Sequence, residues 1–367
     1  MAPILKDCYV IILAGGGGTR LWPKSRTRKP KQFLKISGKN TLFVETIRRV
    51  TPIVPPENIF VVTNENYSNE VQNEAPDLPP ENILVEPEAK GTAAAIGLAV
   101  IHIHKRNPHA VIASLASDHL VKKTNEFHQV LATAFEAAKK DSFLVTVGIY
   151  PTHADTGLGY IHVAKKLLEI DKKPVFTVES FTEKPDLPTA EAFLATKEYF
   201  WNASYFVGKA AVFLEAFKAH MPKLYLGLME VDSKINSDKE MEATKIVWQK
   251  LDDIPIDYGI MEKAKNLVMV PADIGWSDIG NWAVLHEVLK SSSEDNVVIG
   301  DEEGKHLSLG TKGCLIHSNG RLIATIGLSD MVIVDTLDAL LICPKDKVQE
   351  VKKIVEMLKK EKRHEHL

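Results

Sequence analysis

The sequence is poor in cysteine and has no long apolar run. Its 367 residues include three cysteines, Cys8, Cys314 and Cys343, and no CxxC pair. An odd, widely spaced set excludes a disulfide framework and a zinc site of the usual spacing, and it is typical of a protein of the reducing cytoplasm. No apolar stretch approaches the roughly 20 residues that span a membrane, so we expect no membrane partner.

The sequence also lacks a large excess of charge of either sign. Lys and Arg number 45 against 48 Asp and Glu, which gives a formal net charge of −3. The lack of a basic excess argues against a nucleic-acid partner. Any site for phosphate groups must therefore be local, built from a few placed cations and backbone N–H groups.

Apolar segments of strand length alternate with helical patterns over the first 150 residues. We predict strands at Tyr9–Leu13, Ile59–Thr63, Asn82–Val85, Ala110–Leu115 and Phe143–Ile149, and helices at Thr41–Val50, Thr92–His104 and Asn125–Lys140. Continuous apolar strands between amphipathic helices predict an α/β fold with a parallel sheet covered on both faces. Ligands then bind at the carboxyl ends of the strands, so the loops after strands are the places to look for chemistry.

The remainder of the chain divides in two. Val175–Thr182 is predicted as a strand, and Ala210–His220 and Met241–Gln249 as helices. The polar segment Ser291–Glu303 is predicted as a linker or loop, followed by short β-rich runs and a last helix with an apolar stripe from Val348 to Leu358. These features predict domains at residues 1–289 and 290–367. The basic tail ending in His364 and His366 is expected to be solvated and frayed.

A glycine-rich loop follows the first predicted strand. Its residues Ala14, Gly15, Gly16, Gly17, Gly18 and Thr19 leave the backbone bare, so that successive N–H groups can turn toward an anion. A P-loop would need Lys-Ser/Thr after the last glycine, where Thr19-Arg20 stands, and the third glycine of the dinucleotide fingerprint is absent. Glycines alone fit a flexible turn equally well.

Cations cluster directly after this loop. They are Arg20, Arg26, Arg28, Lys29 and Lys31, in a chain that is acidic as a whole. Arg binds phosphate oxygens bidentately and Lys adds a point charge, so a loop followed by these side chains suits a triphosphate. The alternative is a solvated basic face.

The two segments together carry a family resemblance. Leu13-Ala-Gly-Gly-Gly-Gly-Thr-Arg-Leu-Trp-Pro23, followed by Pro30-Lys-Gln-Phe-Leu34, resembles the signature of the sugar nucleotidyltransferases, in the variant of the mannose-1-phosphate guanylyltransferase branch. The resemblance implies a Rossmann-like (GT-A-like) mixed sheet with helices on both faces and a small C-terminal, left-handed β-helix-like module. It also implies that Arg20 and Lys31 hold the phosphates that leave as pyrophosphate.

Later segments resemble the same family in the same order. In Glu86-Pro-Glu-Ala-Lys-Gly91-Thr92 the family reads the base, and here Gly91 stands where the branch usually has Asn. We expect Glu86 to accept from N1–H and the exocyclic amine of guanine, whereas adenine would present an unprotonated N1 there. The alternative for Glu86 is an exposed loop carboxylate.

The resemblance assigns a metal site to two aspartates. Asp118 follows the strand Ala110–Leu115 in Ala-Ser-Asp-His, and Asp278 lies in Gly-Trp-Ser-Asp. Together they would hold Mg²⁺, with carboxylates within about 6 Å of each other because ligand distances are near 2.1 Å.

Three further segments are assigned to the sugar phosphate. Gly159 would let the sugar approach the backbone, Lys184 would bind its phosphate, and Glu183 and Asn202 would contact sugar hydroxyls; Asp257 is a further candidate. Leu158 and Ser204 replace the Tyr and Gly that the family usually has, and Ala116 replaces a proline.

The expected reaction joins GTP and mannose 1-phosphate by in-line displacement at the α-phosphorus. The sugar phosphate is already ionised at neutral pH, so the chemistry needs no general base. Two alternatives remain open: the same chemistry on another sugar such as heptose or glucose 1-phosphate, and a non-catalytic regulatory subunit that binds nucleotide sugars. A homodimer formed through the C-terminal module is also expected.

Overall fold

A computed structural model describes residues 5–16, 18–36, 38–292, 294–300 and 306–367. Gly17 lies outside the described residues, so its expected contact with phosphate stays a prediction. The chain forms two compact units, which are described separately. The first contains the chain up to Gly15 together with Ile47–Ser117 and Val121–Trp276, and the second contains Gly16–Thr46, Asp118–Leu120 and Ser277–Leu367.

The strands and helices are numbered in chain order. The strands are β1 Cys8–Leu13, β2 Ile59–Asn64, β3 Ile83–Glu86, β4 Val111–Ala116, β5 Leu120–Val121, β6 Leu144–Ile149, β7 Tyr160–Ile170, β8 Lys173–Thr182, β9 Tyr199–Lys209, β10 Leu267–Ala272, β11 Trp276–Ser277, β12 Val297–Gly300, β13 His306–Leu309, β14 Leu315–Ser318, β15 Ile323–Ile326, β16 Met331–Asp335 and β17 Leu340–Pro344. The helices are α1 Leu42–Val50, α2 Ser68–Glu74, α3 Gly91–Arg106, α4 Thr124–Lys140, α5 Leu187–Thr196, α6 Ala210–His220, α7 Pro222–Asp232, α8 Glu240–Trp248, α9 Trp282–Leu289 and α10 Val351–Lys360.

The first unit is built on a large mixed sheet. Its strand order in the described chain is β3-β2-β1-β4-β9-β6-β10-β8-β7. The first four strands are parallel, as are β6 and β10, but β9 and β8 run antiparallel to their neighbours. The mixed sheet is confirmed. The parallel arrangement expected from strand–helix alternation holds for β3-β2-β1-β4, and the antiparallel strands β9 and β8 depart from it beyond β4. A two-residue turn with positive φ at Asp171 and Lys172 joins β7 to β8, and a turn this short can only connect antiparallel strands.

The strands of this sheet are apolar and buried, which requires that both faces of the sheet be covered. All but the last residue of β1 is fully buried. Tyr9 and Ile11 pack in the cluster that contains α3, α6 and α7, while the alternating Val10 and Ile12 are buried on the other face. Helix α4 packs against β4, β6, β9 and β10. None of the described helices is long and apolar enough to cross a bilayer.

The second unit contains the β-rich module predicted for the C-terminus. Strands β12, β14 and β16 pair in parallel in one sheet, β13 and β15 in another, and β17 closes the first sheet antiparallel. Each parallel strand is separated from the next in sequence by about the length of one β-helix turn, which gives the β-helix-like arrangement. Part of the predicted linker is the strand Val297–Gly300, where β-branched residues favour a strand over a loop.

The C-terminal helix and tail pack onto this unit. Of the predicted apolar stripe, Val348, Val351, Val355 and Leu358 are buried with residues of β14 and β16, whereas Ile354 is 39% exposed. The frayed tail was a wrong expectation. The backbone carbonyl of His366 accepts a hydrogen bond from Trp22 Nε1 at 2.8 Å, and His366 Nδ1 lies 3.1 Å from Asp338 Oδ2. These bonds fix the last residues.

Candidate active site

The glycine-rich loop leaves β1 with its first residue still part of the sheet. Ala14 N–H donates to the carbonyl of Val62 at 2.8 Å. Gly15 and Gly16 are different, because a Cβ on either would meet no atom within 4 Å. The space on the Cβ side of these two residues is therefore open, which leaves room for a ligand beside the loop.

Gly18 and Lys31 touch within the second unit. Gly18 has φ +52°, and a Cβ there would lie 2.6 Å from Cβ of Lys31. The left-handed conformation disfavours a side chain at position 18, and the close approach would force one against Lys31. Thr19 and Arg20 follow in a short 3₁₀ helix and are exposed, so the Arg20 guanidinium is available to a ligand.

Lys31 connects the two predicted metal ligands. Its ammonium donates to Asp118 Oδ2 at 2.9 Å and to the backbone carbonyl of Asp278. The Lys31 side chain is 8% exposed and that of Asp118 is 36% exposed. The fold thus brings residues 31, 118 and 278 together as the family resemblance implied. The 6 Å separation expected between the two carboxylates stays a prediction.

The Asp118 carboxylate is held in its ionised form. Burial alone would raise the pKa of Asp118, but the Lys31 ammonium, followed by His119, holds the pKa below its usual value. The Asp278 carboxylate accepts from the N–H of Gly280 at 3.0 Å. Among the described residues no group of three or more His, Cys, Asp or Glu side chains is placed to hold a metal ion. A metal here would have two protein carboxylates at most.

The predicted base loop lies in the first unit. Glu86 ends β3 with 6% exposure, so it is not the exposed loop carboxylate of the alternative interpretation. Its Oε1 accepts from Nε1 of Trp248 at 3.2 Å. Burial raises the pKa of Glu86 to about 7; the Trp248 bond opposes this rise and the Asp253 carboxylate adds to it.

Gly91 and Thr92 begin helix α3. Gly91 has φ +74°, and a Cβ there would overlap the Ile254 carbonyl at 2.6 Å. Thr92 Oγ1 accepts from the N–H of Ile256 at 2.9 Å. The backbone of Ile254 and the Asp253 side chain therefore leave no room for a side chain at position 91.

The residues assigned to the sugar phosphate come together in the first unit. Lys184 Nζ donates to Glu183 Oε1 at 2.8 Å. A Cβ on Gly159 would collide with Glu183 Oε2 and lie 3.4 Å from Cβ of Asn202. The N–H of Asn202 donates to the carbonyl of Gly159 at 2.8 Å. Three motifs far apart in sequence thus meet around Gly159.

Both polar atoms of the Asn202 side chain are hydrogen-bonded to other residues. Its Nδ2 donates to Asp257 Oδ1 at 2.7 Å, and its Oδ1 accepts from the N–H of Ser204 at 2.9 Å. Ser204 has φ +52°, which accounts for the glycine that the family usually has there. Burial and the Glu183 carboxylate raise the pKa of Asp257 to about 6, against the Asn202 bond. Asn202 thus holds the Asp257 carboxylate, and its expected contact with a sugar hydroxyl stays a prediction.

Two neighbours of the base loop were not found from the sequence. Trp248 and Asp253 lie in no motif of the expected family, and a buried tryptophan at the end of a helix normally indicates core packing. Only the fold brings Trp248 to Glu86, which is 162 residues away in sequence.

Comparisons with known proteins agree over the whole chain. A family model described as nucleotidyl transferase matches residues 9–294, and one described as MannoseP isomerase/GMP-like beta-helix domain matches residues 304–358. Mannose-1-phosphate guanylyltransferase 2 of Escherichia coli O157:H7 is 36% identical over 376 residues, which cover 100% of this chain and 76% of that protein. The mannose-1-phosphate guanylyltransferase of Salmonella montevideo is 36% identical over 362 residues, covering 97% and 75%.

A solved structure has the same fold over nearly the same length. It is a crystal structure from Thermus thermophilus described as mannose-1-phosphate geranyltransferase, with a TM-score of 0.86 and 33% identity. The match covers 96% of this chain and 99% of that chain.

Proposed function

The chain belongs to the nucleotidyl transferase family and, within it, to the mannose-1-phosphate guanylyltransferases, and on this premise we propose that it converts GTP and mannose 1-phosphate to GDP-mannose and pyrophosphate. The structural observation that carries the proposal is the cluster of Lys31 with Asp118 and Asp278. It joins a phosphate-binding cation to two carboxylate-bearing residues, as transfer of a nucleotidyl group requires.

The transfer needs little covalent help from the protein. A phosphate oxygen of the sugar, ionised at neutral pH, attacks the α-phosphorus, and pyrophosphate leaves from the opposite side. The backbone of Gly15, Gly16 and Gly18 would bind the triphosphate, and Arg20 and Lys31 would neutralise the charge that grows on pyrophosphate. No bond to the anomeric carbon breaks, so the sugar keeps its configuration.

Substrate recognition is proposed for residues of the first unit. Glu86 would accept hydrogen bonds from guanine, with Gly91 and Thr92 shaping the loop. Lys184 would bind the phosphate of the sugar, and Glu183 and Asp257 would accept from its hydroxyls. The burial of Glu183 and the bond from Asn202 to Asp257 support these roles, because both fix the carboxylates in place.

Asp118 and Asp278 fit Mg²⁺. Both offer hard carboxylate oxygens, and a cation, the Lys31 ammonium, already pairs with Asp118. Two protein ligands are typical of Mg²⁺ bound with a nucleotide, whose phosphates and water complete the shell. When bound, Mg²⁺ would neutralise charge on the triphosphate.

We also propose a cytoplasmic location and a homodimer. The three cysteines are free, which fits a reducing compartment. In the C-terminal module Leu307, Leu309 and Ile326 are 62%, 68% and 73% exposed, and they lie on one face of the β13–β15 pair. Light scattering would give twice the chain mass for a dimer, and Ile326→Asp would lower that mass if this face forms the contact.

The test of the activity is pyrophosphate release with Mg²⁺, crossing GTP, ATP, UTP and dTTP with mannose, glucose and heptose 1-phosphates. We expect fast turnover only with GTP and mannose 1-phosphate. Turnover with another pair would keep the mechanism and overturn the assigned specificity. Binding of GTP or GDP-mannose without turnover of any pair would support the regulatory alternative instead.

A further inference from the structure

One stretch of chain, which lies outside the expected motifs except for its last residue, is hydrogen-bonded to the predicted base loop. We call residues 248–256 the clamp segment and residues 86–93 the base loop. Three hydrogen bonds join them: Trp248 Nε1 to Glu86 Oε1 at 3.2 Å, Ala93 N to the Ile254 carbonyl at 3.3 Å, and Ile256 N to Thr92 Oγ1 at 2.9 Å. The position of the base loop therefore depends on the clamp segment.

Trp248 fixes the orientation of Glu86. The indole is fully buried at the end of α8, and its N–H is a donor only. With Oε1 of Glu86 occupied by that donor, Oε2 is the oxygen left to accept from a ligand. A carboxylate held in this way can discriminate between bases, because a wrong partner leaves a buried polar group unpaired.

Asp253 brings a second carboxylate to the same loop. Its Oδ1 lies 2.8 Å from the point where a Cβ on Gly91 would stand, and the residue is exposed. The glycine thus makes room for Asp253 beside the base loop. Since two neighbouring carboxylates repel each other, Asp253 contributes to the raised pKa of Glu86, and a ligand that donates N–H groups to both relieves the repulsion.

We propose, on the basis of the proposed function, that Trp248 and Asp253 determine the base preference together with Glu86. Trp248 is a positioning residue that orients Glu86 toward N1–H of guanine, and Asp253 accepts from the exocyclic amine. Adenine has no N1–H, so its unprotonated N1 would face the Glu86 carboxylate without a donor.

Inosine triphosphate separates the two contacts, because it keeps N1–H and lacks the exocyclic amine. For Asp253→Ala we expect kcat/KM to fall roughly tenfold with GTP and to stay within about twofold with inosine triphosphate. Asp252→Ala is the matched control: Asp252 is the exposed neighbour, paired with Lys223 at 2.9 Å. It should leave both nucleotides unchanged.

Trp248→Phe should lower kcat/KM for GTP and inosine triphosphate by the same factor, roughly tenfold, and leave KM for mannose 1-phosphate unchanged. Val247→Ala is the packing control, since Val247 is buried on the same helix and its Cγ1 lies 2.6 Å from the point where a Cβ on Gly227 would stand. If Trp248→Phe does not fold, site-specific benzothienylalanine keeps the shape and removes only the N–H donor.

Equal losses with GTP and inosine triphosphate in Asp253→Ala, or the same loss in Asp252→Ala, would overturn the role of Asp253. Unchanged kcat/KM in the folded Trp248 variant would overturn the role of Trp248. If the wild-type protein turns over no nucleotide, the proposed function fails, and calorimetric binding of GTP and inosine triphosphate to the same variants still tests the base contacts.

Discussion

The ammonium of Lys31 lies 2.9 Å from Oδ2 of Asp118 and also donates to the backbone carbonyl of Asp278. The two aspartates are 87 and 247 positions from Lys31 in sequence. The cation proposed to bind phosphate and the two proposed metal ligands thus form one cluster. Through Lys31, the cationic segment after the glycine-rich loop contacts the aspartates that follow β4 and β11.

Replacing Lys31 tests this cluster. Lys31→Met removes a charge that would stabilise departing pyrophosphate, so we expect kcat to fall roughly 100-fold or more. Folding should survive, because the partly exposed Asp118 can be hydrated. The measurement is pyrophosphate release at saturating substrates. Lys29→Met, at an exposed position two residues earlier, should retain activity within about twofold, and a similar loss there would indicate a general charge effect.

The contact between Gly18 and Lys31 predicts a second effect. Gly18→Ala places a methyl group 2.6 Å from Lys31 Cβ and strains a backbone with φ +52°. We expect Lys31 to be displaced, with kcat lowered roughly tenfold and a loss of about 1–2 kcal/mol in the free energy of unfolding. Gly38→Ala is the control, because a Cβ there meets no atom within 4 Å. Equal kinetics for the two variants would show that the contact does not position Lys31.

A glycine substitution also tests the residues assigned to the sugar phosphate. Gly159→Ala would push a methyl group against Glu183 Oε2, with Phe181 at 3.3 Å leaving little room to adjust. We expect KM for mannose 1-phosphate to rise roughly tenfold, since a displaced Glu183 also releases Lys184. KM for GTP should be unchanged. Gly157→Ala meets only the Asp155 carboxylate, at 3.1 Å, and serves as the control.

Apolar strands were the part of the fold that could be predicted from sequence. β1, β2, β4 and β6 are buried on both faces and were located to within one or two residues. β7 was missed because its second half is exposed, so it carries charged residues and no apolar run. β9 was missed because Asn202 and Ser204 interrupt its apolar pattern. Both strands pair antiparallel with their neighbours, so the missed strands belong to the part of the sheet that is not parallel.

Motifs predicted which side chains would meet, but not how each one is held. Position 204 was known to depart from glycine, yet only the structure shows that serine adopts the left-handed conformation there. Trp248 carries no sequence signal that separates it from ordinary core. Contacts between distant segments, such as Trp248 with Glu86, depend on the packing of α8 and cannot be predicted from local patterns.

Glu86 gives a pH-dependent prediction for stability. Its pKa is about 7 in the folded protein against 4.5 for the ordinary group. A raised pKa means that the folded state binds the proton more tightly, so this contribution to stability is present below pH 4.5 and is lost as pH rises through 7. Glu86→Gln has no such titration. Its free energy of unfolding, relative to wild type, should therefore increase by roughly 2 kcal/mol between pH 5 and pH 8.

Denaturant unfolding at the two pH values measures this difference, and Glu88→Gln, at the exposed position in the same loop, is the control that should show no such change. A pH-independent difference for Glu86→Gln would mean that the carboxylate has the same pKa in the folded and unfolded protein, so that burial does not oppose its charge. If the stabilised variant also loses its preference for GTP over ATP, the same carboxylate would account for both effects. The folded protein would then keep an unfavourable buried charge because base selection requires it.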